Sequence, residues 1–169
     1  MSRRVRIGVM LALVVVVALV VTGCQQTADQ ASKSAVEAAT GVKVDQSGDN
    51  VTVTGNDGSS TTMGKALPAG MPSDFPVYPG TVITGNKSTT SEGTSWSYSM
   101  ETADSVQKVT DWFKAELEKA GWTVGSTFVG GDAGNETSML ICTKGTSELN
   151  VTAGTSEGKT TIVAILVMK

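Results

Sequence analysis

Residues 81–169 contain one segment with helical periodicity. It lies between short segments in which apolar and polar residues alternate, as they do in β-strands. The clearest run is 94–101, in which Trp96, Tyr98 and Met100 alternate with serines. A period of two is typical of a strand with one buried face and one wet face. The strand candidates are residues 81–85, 94–101, 122–129, 138–143, 148–153 and 160–168. Short glycine-rich turns join the last four of these, so they are expected to pair as antiparallel neighbours.

Residues 104–120 carry the helical pattern. One stripe of this segment is apolar and consists of Val106, Val109, Phe113, Leu117 and Ala120. Charged residues cover the opposite side, as in a surface helix. Asp104 is the expected N-cap, and Gly121 is the expected C′ glycine. The element order β-β-α-β-β-β-β therefore predicts an α+β fold, with an antiparallel sheet of about six strands and one amphipathic helix on a face.

Two segments precede this domain. Residues 42–65 alternate around turn signals such as Asn56-Asp57-Gly58, which favours tight hairpins, and they predict a small β-meander too thin to be stable alone. Residues 66–80 contain all four prolines and predict an extended crossing segment. Phe75, Val77 and Tyr78 are too apolar for a solvated linker, so we expect them to dock on the domain that follows.

The N-terminus has the order of an export signal. Arginines at 3, 4 and 6 precede an uncharged apolar run, 7–21, which is too short for a membrane span of about 20 residues. The run ends at Val21, and the residues Val21-Thr22-Gly23-Cys24 resemble a bacterial lipobox. This resemblance implies a diacylglycerol-modified Cys24 at the start of the mature chain. An ordinary signal anchor is the alternative. Two or more acyl chains hold a protein stably on a membrane, whereas one binds only marginally. The expected location is the extracytoplasmic face of the cell membrane.

The resulting organisation has five parts. They are a lipoprotein signal peptide (1–23), a lipidated Cys24 with a polar tether (24–41), the small β-meander (42–65), the Pro-rich crossing segment (66–80) and the α+β domain (81–169).

A second resemblance rests on the Pro-rich entry and on the end of the helix. Residues 72–80 read PSDFPVYPG, and residues 117–122 read LEKAGW. Together they resemble a group of uncharacterised bacterial lipoproteins with a P-x-D-F-P-x-Y-P-G entry, a strand pair, an amphipathic helix and a Gly-Trp that opens the next strand. The resemblance covers about residues 42–169. It implies an α+β fold in the cell envelope, and it carries no activity and no functional residue.

Composition argues against several classes of function. The chain has no histidine, which removes the commonest general base and transition-metal ligand. Removal of residues 1–23 takes away three arginines and no acid, so the net charge moves from −3 to about −6 and disfavours nucleic-acid binding. Cys142 lies in an apolar strand candidate, so we interpret it as a small buried side chain rather than as a nucleophile. We therefore expect no catalytic residues, no metal site and no cofactor.

Candidate binding residues are the aromatic side chains Trp96, Tyr98 and Trp112. They would line a cleft between the helix, the Pro-rich segment and the sheet, although core packing between helix and sheet is the favoured explanation and needs no ligand. Two functions stay open: a non-catalytic binding or scaffolding lipoprotein that contacts an envelope protein or wall polymer, and a small-ligand binder that uses this cleft. A large exposed apolar face would favour the first function, and a deep aromatic pocket would favour the second.

The last strand candidate is apolar on both faces. From Ile162 to Met168 no residue is polar, so alternate residues Val163, Ile165 and Val167 are expected to face a dry surface opposite the helix. We expect the N-terminal meander and the Pro-rich segment to cover part of that second face.

Overall fold

Nine strands and one long helix account for most of the described chain. The computed structural model describes residues 37–132 and 134–169. The strands are β1 Lys43–Ser47, β2 Asn50–Thr54, β3 Ser60–Gly64, β4 Thr81–Thr90, β5 Gly93–Thr102, β6 Thr123–Gly130, β7 Thr137–Lys144, β8 Ser147–Ser156 and β9 Lys159–Met168. The helix α1 spans Val106–Lys119, and residues 37–40 are also helical. Residues 45–169 form one compact unit. The predicted signal peptide, Cys24 and most of the tether lie outside the described residues.

All nine strands belong to one sheet, in the order β1-β2-β3-β4-β5-β9-β8-β7-β6. Every pairing from β2 to β9 is antiparallel. The predicted order from residue 81 onward is therefore observed, and the fold is of the α+β type. The predicted number of about six strands is wrong, because the meander is not a separate element. Its strand β3 pairs with β4, from Ser60↔Thr89 to Gly64↔Gly85, and so extends the sheet.

The alternation in β5 sets which face of the sheet is buried. Trp96, Tyr98 and Met100 are 8%, 1% and 0% exposed. Their partners on β9 are Leu166, Ala164 and Ile162, which are also buried. Directly paired residues of an antiparallel ladder lie on the same face of a sheet. This face therefore forms the core against α1, as the period of two predicts.

Helix α1 begins one residue later than the sequence pattern predicts. Its N-cap is Ser105, whose side chain accepts a hydrogen bond from the Lys108 amide, and the predicted cap Asp104 is wrong by one position. The predicted C-terminus is confirmed. Gly121 has a φ of 82°, and the Trp122 amide donates to the Leu117 carbonyl at 2.9 Å. This 6→1 bond is the signature of a Schellman motif, in which glycine takes the left-handed position without steric cost.

The Pro-rich segment, residues 66–80, lies on the same face of the sheet as α1. Phe75 and Tyr78 are 2% and 3% exposed, and Val77 is half-buried against the core, so the predicted docking is confirmed. The chain crosses β4 at Gly85, where a Cβ atom would collide with the Ala66 carbonyl oxygen. A residue without a side chain is needed at this crossing.

The opposite face of the sheet is uncovered by the described residues. Val163 and Ile165 are 39% and 42% exposed, and Val167 is half-buried. The expected cover by the meander and the Pro-rich segment is wrong, because β2 and β3 continue the sheet and the segment packs on the α1 side. We call the face that carries Val163, Ile165 and Val167 the open face.

Candidate functional site

The three candidate aromatic residues lie in the core rather than around an open cleft. The Tyr98 ring packs against Phe75 at a tilt of 34°, with ring centroids 5.2 Å apart, and the Tyr98 hydroxyl donates to the Pro76 carbonyl at 2.7 Å. Trp112, at the edge of the helix stripe, is half-buried. Trp96 is buried beside Lys87, whose Nζ lies 5.7 Å from the indole centroid. Among the described residues, the Trp96 indole N–H has no hydrogen-bond partner.

Aromatic rings fill the space between α1, the Pro-rich segment and the sheet. The Tyr78 ring contacts Trp112 edge-on at 5.0 Å and stacks on Phe113 at 6.0 Å. Trp112 in turn meets Phe113 edge-on at 4.9 Å. Such pairs add about 0.5–1.5 kcal/mol beyond the burial of their area. The place of the cleft that the small-ligand alternative requires is therefore occupied by side chains of the chain itself.

A charged network fixes one end of the Pro-rich segment to the start of α1. The Tyr78 hydroxyl donates to Asp104 Oδ2 at 2.6 Å, and Lys108 Nζ donates to Asp104 Oδ1 at 2.6 Å. The hydrogen bond from Lys108, with a second from Tyr78, lowers the pKa of the Asp104 carboxyl below its ordinary value. Burial, reinforced by Asp104, raises the pKa of Tyr78 to about 12. Tyr78 is thus a neutral donor at physiological pH and has no character of a general base.

A second network fixes the other end of the segment to the end of α1. Lys144 Nζ donates to Asp74 Oδ2 at 2.7 Å and to the Ala120 carbonyl at 2.8 Å. The Trp122 indole N–H donates to the Asp74 carbonyl at 3.0 Å. One lysine on β7 therefore joins the helix C-terminus and the Pro-rich segment, where a cation also complements the helix dipole. The sequence pattern carries no signal for this contact, because Asp74 and Lys144 are distant in the chain.

Cys142 has the surroundings of a structural thiol. It is buried on the core face of β7, and burial raises its pKa to about 11. The reactive form of cysteine is the thiolate, and the usual activating partner, histidine, does not occur in the chain. The position agrees with the sequence interpretation of Cys142 as a small core side chain.

Alkylation of Cys142 by iodoacetamide at pH 8 is expected to be at least a hundredfold slower in the folded chain than in urea, because the thiol is both buried and protonated. Mass spectrometry of the peptide that contains Cys142 measures this ratio, and comparable rates would contradict the placement.

Because the folded-state pKa of Cys142 lies above the unfolded value of 9.0, the contribution of this thiol to stability is fully present below pH 9 and is lost as the pH rises through about 11.

Acidic residues near the turns have local structural roles. Asp57 accepts hydrogen bonds from the Ser59 amide at 3.0 Å and from the Ser59 hydroxyl at 2.6 Å, which closes the turn between β2 and β3.

Within the described ranges, no group of three or more metal-binding side chains occurs. The same ranges contain no helix that is long and apolar enough to cross a membrane.

The open face is the most extensive uncovered feature. Of the ten exposed large hydrophobic residues among those described, six lie on it, as the strand register shows: Met63, Phe128, Met139, Ile141, Val163 and Ile165. They form separate rows, since the polar side chains of β8 lie between Met139 and Ile141 on β7 and Val163 and Ile165 on β9. Exposed apolar surface that is rimmed by polar residues often marks an interaction site. The sequence pattern indicates the second apolar side of β9 but not the exposed positions of Met139 and Ile141. Their strand is apolar on both sides, so its pattern does not say which side is exposed.

Hydroxyl and amide side chains lie beside the apolar residues of this face. One row crosses five neighbouring strands and consists of Ile141, Asn150, Ile165, Ser97 and Asn86. The adjoining rows place Ser99 and Thr152 on either side of Val163, and Ser95 and Glu148 on either side of Val167. The face therefore alternates between apolar and polar rows, and the polar rows are uncharged except near the strand ends, where Glu148 lies.

The comparisons with known proteins give one match. A family model described as START domain-like matches residues 82–159, from β4 to the first residue of β9, which is less than half of the chain. The matched range includes α1 and the strands beneath it, and it leaves out the Pro-rich segment and β1–β3. No curated protein and no solved structure matches the chain.

Proposed function

We propose that the chain is a membrane-tethered lipoprotein on the extracytoplasmic face of the bacterial cell membrane, and that it works as a non-catalytic binding or scaffolding module. The lipid on Cys24 holds it to the membrane, and the open face of the sheet contacts an envelope protein or wall polymer. The observation that carries the proposal is the set of six exposed large hydrophobic residues on that face.

The distribution of polar and reactive groups supports a binding role. The Cys142 thiol is buried with a raised pKa, and Tyr78 and Asp104 are engaged in fixing the Pro-rich segment. The open face, in contrast, has no packing role among the described residues. An exposed apolar surface of this kind is typical of an interaction site.

Site-specific photo-crosslinking tests the proposal. A benzophenone amino acid replaces Ile165 in the full-length chain, and intact bacterial cells that export the chain are irradiated. We expect a membrane-associated adduct of higher mass, because Ile165 is 42% exposed at the centre of the open face. The matched control carries the same amino acid at Glu118, which is exposed on α1. The absence of any adduct at Ile165, or an equal yield at Glu118, would overturn the proposed role of the open face.

A second candidate function is the binding of a small apolar ligand between α1, the Pro-rich segment and the sheet. The START domain-like match favours it, since START-like domains are generally ligand-binding and the matched residues include α1 and five of the strands around it. An apolar ligand in this space would replace the rings of Phe75 and Tyr78, which are held there by the Asp74 and Asp104 networks. Ligand binding would therefore require the Pro-rich segment to move away from the sheet.

A further inference from the structure

We infer that the partner of the open face is the open face of a second copy of this chain, so that two sheets pack against each other in a symmetric dimer. The inference rests on the proposed function, because it names the partner of the same surface. Three properties of the face carry it: its charge, its polar pattern and its size.

The charge distribution permits two copies to approach each other. In the six strands β4–β9, the charged residues of the open face are Glu101, Glu148 and Lys159. Each lies at or next to the end of its strand, and Lys159 Nζ pairs with Glu101 Oε2 at 2.9 Å. Like charges that face each other across an interface oppose association. The centre of this face is neutral, so self-association avoids that repulsion even though the chain is acidic overall.

The polar pattern is self-complementary. A two-fold interface brings the same patch of both subunits together, so the polar groups of that patch must be complementary to one another. Hydroxyls such as Ser97 and Thr152, and the amide of Asn150, are both donors and acceptors. Between them, Val163 and Ile165 supply an apolar ridge along β9. Hydroxyl rows beside an apolar ridge therefore fit a copy of themselves without leaving a charge unpaired.

The size of the face matches what a stable pair requires. Strands β4 to β9 have eight to ten residues each. With strands about 4.8 Å apart and a rise of about 3.4 Å per residue, six such strands present about 800 Å². Stable interfaces bury about 800 Å² on each partner. Face-to-face packing of two sheets about 10 Å apart is also a common architecture of folded proteins.

Two differently tagged full-length copies expressed in one cell test the dimer. With the benzophenone amino acid at Ile165, we expect the adduct to contain both tags, and the same substitution at Glu118 should not give it. Val163→Lys places a charge on the ridge and is expected to lower co-purification of the tags at least tenfold. Thr152→Lys changes an exposed polar residue of the same face and should act in the same direction without disturbing the fold. Ala115→Lys, on the outside of α1, is the control and should leave co-purification unchanged.

The outcomes separate the dimer from the broader proposal. An Ile165 adduct with a different envelope protein or a wall polymer, and without the second tag, would overturn the dimer but keep the open face as a binding surface. No adduct at Ile165 would overturn both. Co-purification that survives Val163→Lys and Thr152→Lys, while both variants melt as the unaltered chain does, would also overturn the dimer.

Discussion

Replacement of Phe75 by Ala is expected to lower the free energy of unfolding by about 3–5 kcal/mol, the usual cost of truncating a buried phenylalanine. Phe75 is 2% exposed and its ring packs against that of Tyr98, so the variant leaves a cavity in the core. Urea denaturation of the full-length chain in detergent measures the change. Leu67→Ala is the matched control, because Leu67 lies in the same Pro-rich segment at 38% exposure. Its expected cost is below about 1 kcal/mol.

Equal midpoints for the Phe75 and Leu67 variants would contradict the placement of the Pro-rich segment as part of the core. The unaltered chain and the Phe75→Ala variant also separate the two candidate functions. A ligand that binds only the folded state raises its melting temperature by mass action. Under the surface-binding proposal, palmitic acid should leave the melting temperature of the unaltered chain unchanged. A rise for the unaltered chain, and a larger rise after Phe75→Ala opens space, would favour the small-ligand function.

The parts of the fold that sequence predicts are those encoded by local periods. The two-residue alternation around Trp96 and the stripe through Phe113 each identify a buried face, and Gly121 marks the end of the helix. All three are confirmed, because each depends on residues within one element. The local sequence does not fix the residue at which α1 begins, since Asp104 and Ser105 are both good N-caps. Tertiary contacts decide between them: Asp104 accepts from Tyr78 and Lys108, and Ser105 caps the helix.

Pairing between distant segments is what the sequence does not reveal. Strand β3 joins β4 only after the chain has crossed the sheet through residues 66–80, and nothing in either strand's alternation specifies the other as its partner. The sheet therefore has nine strands rather than about six. The sequence also does not reveal which segments pack over a given face, and for this reason it does not predict the exposure of the open face. The strand 162–168 is correctly predicted to be apolar on both sides, but its second side proves to be a surface, because the segments expected to cover it pack elsewhere.

The candidate site was predictable only in part. Trp96, Tyr98 and Trp112 are the residues that composition alone singles out, and the structure places them in the core or at its edge. The residues that now carry the proposal, above all Ile141 and Ile165, are ordinary aliphatic side chains. What distinguishes them is exposure and alignment across β7 and β9, and both properties depend on the register of the assembled sheet.

Cys24→Ser is expected to abolish the lipid anchor. In the proposed lipoprotein the thiol of Cys24 accepts the diacylglycerol group, and a serine cannot form that thioether. The variant should accumulate unprocessed or be released in soluble form, and fractionation of cells followed by mass spectrometry of the N-terminus measures which. Thr22→Ser keeps a small hydroxyl residue before the cysteine and is the control that should remain lipidated and membrane-bound.

A fully processed Cys24→Ser protein that still sediments with membranes would overturn the lipid anchor. The consequence for the open face is separate. Two tethered copies share one membrane surface, which raises their effective concentration over that in solution. Loss of the tether should therefore weaken co-purification of two tagged copies, and a compensating increase in the concentration of the released chain should restore it. A released chain that does not pair at any concentration would show that the tethered copies associate through the membrane rather than through the face that Val163 and Ile165 present.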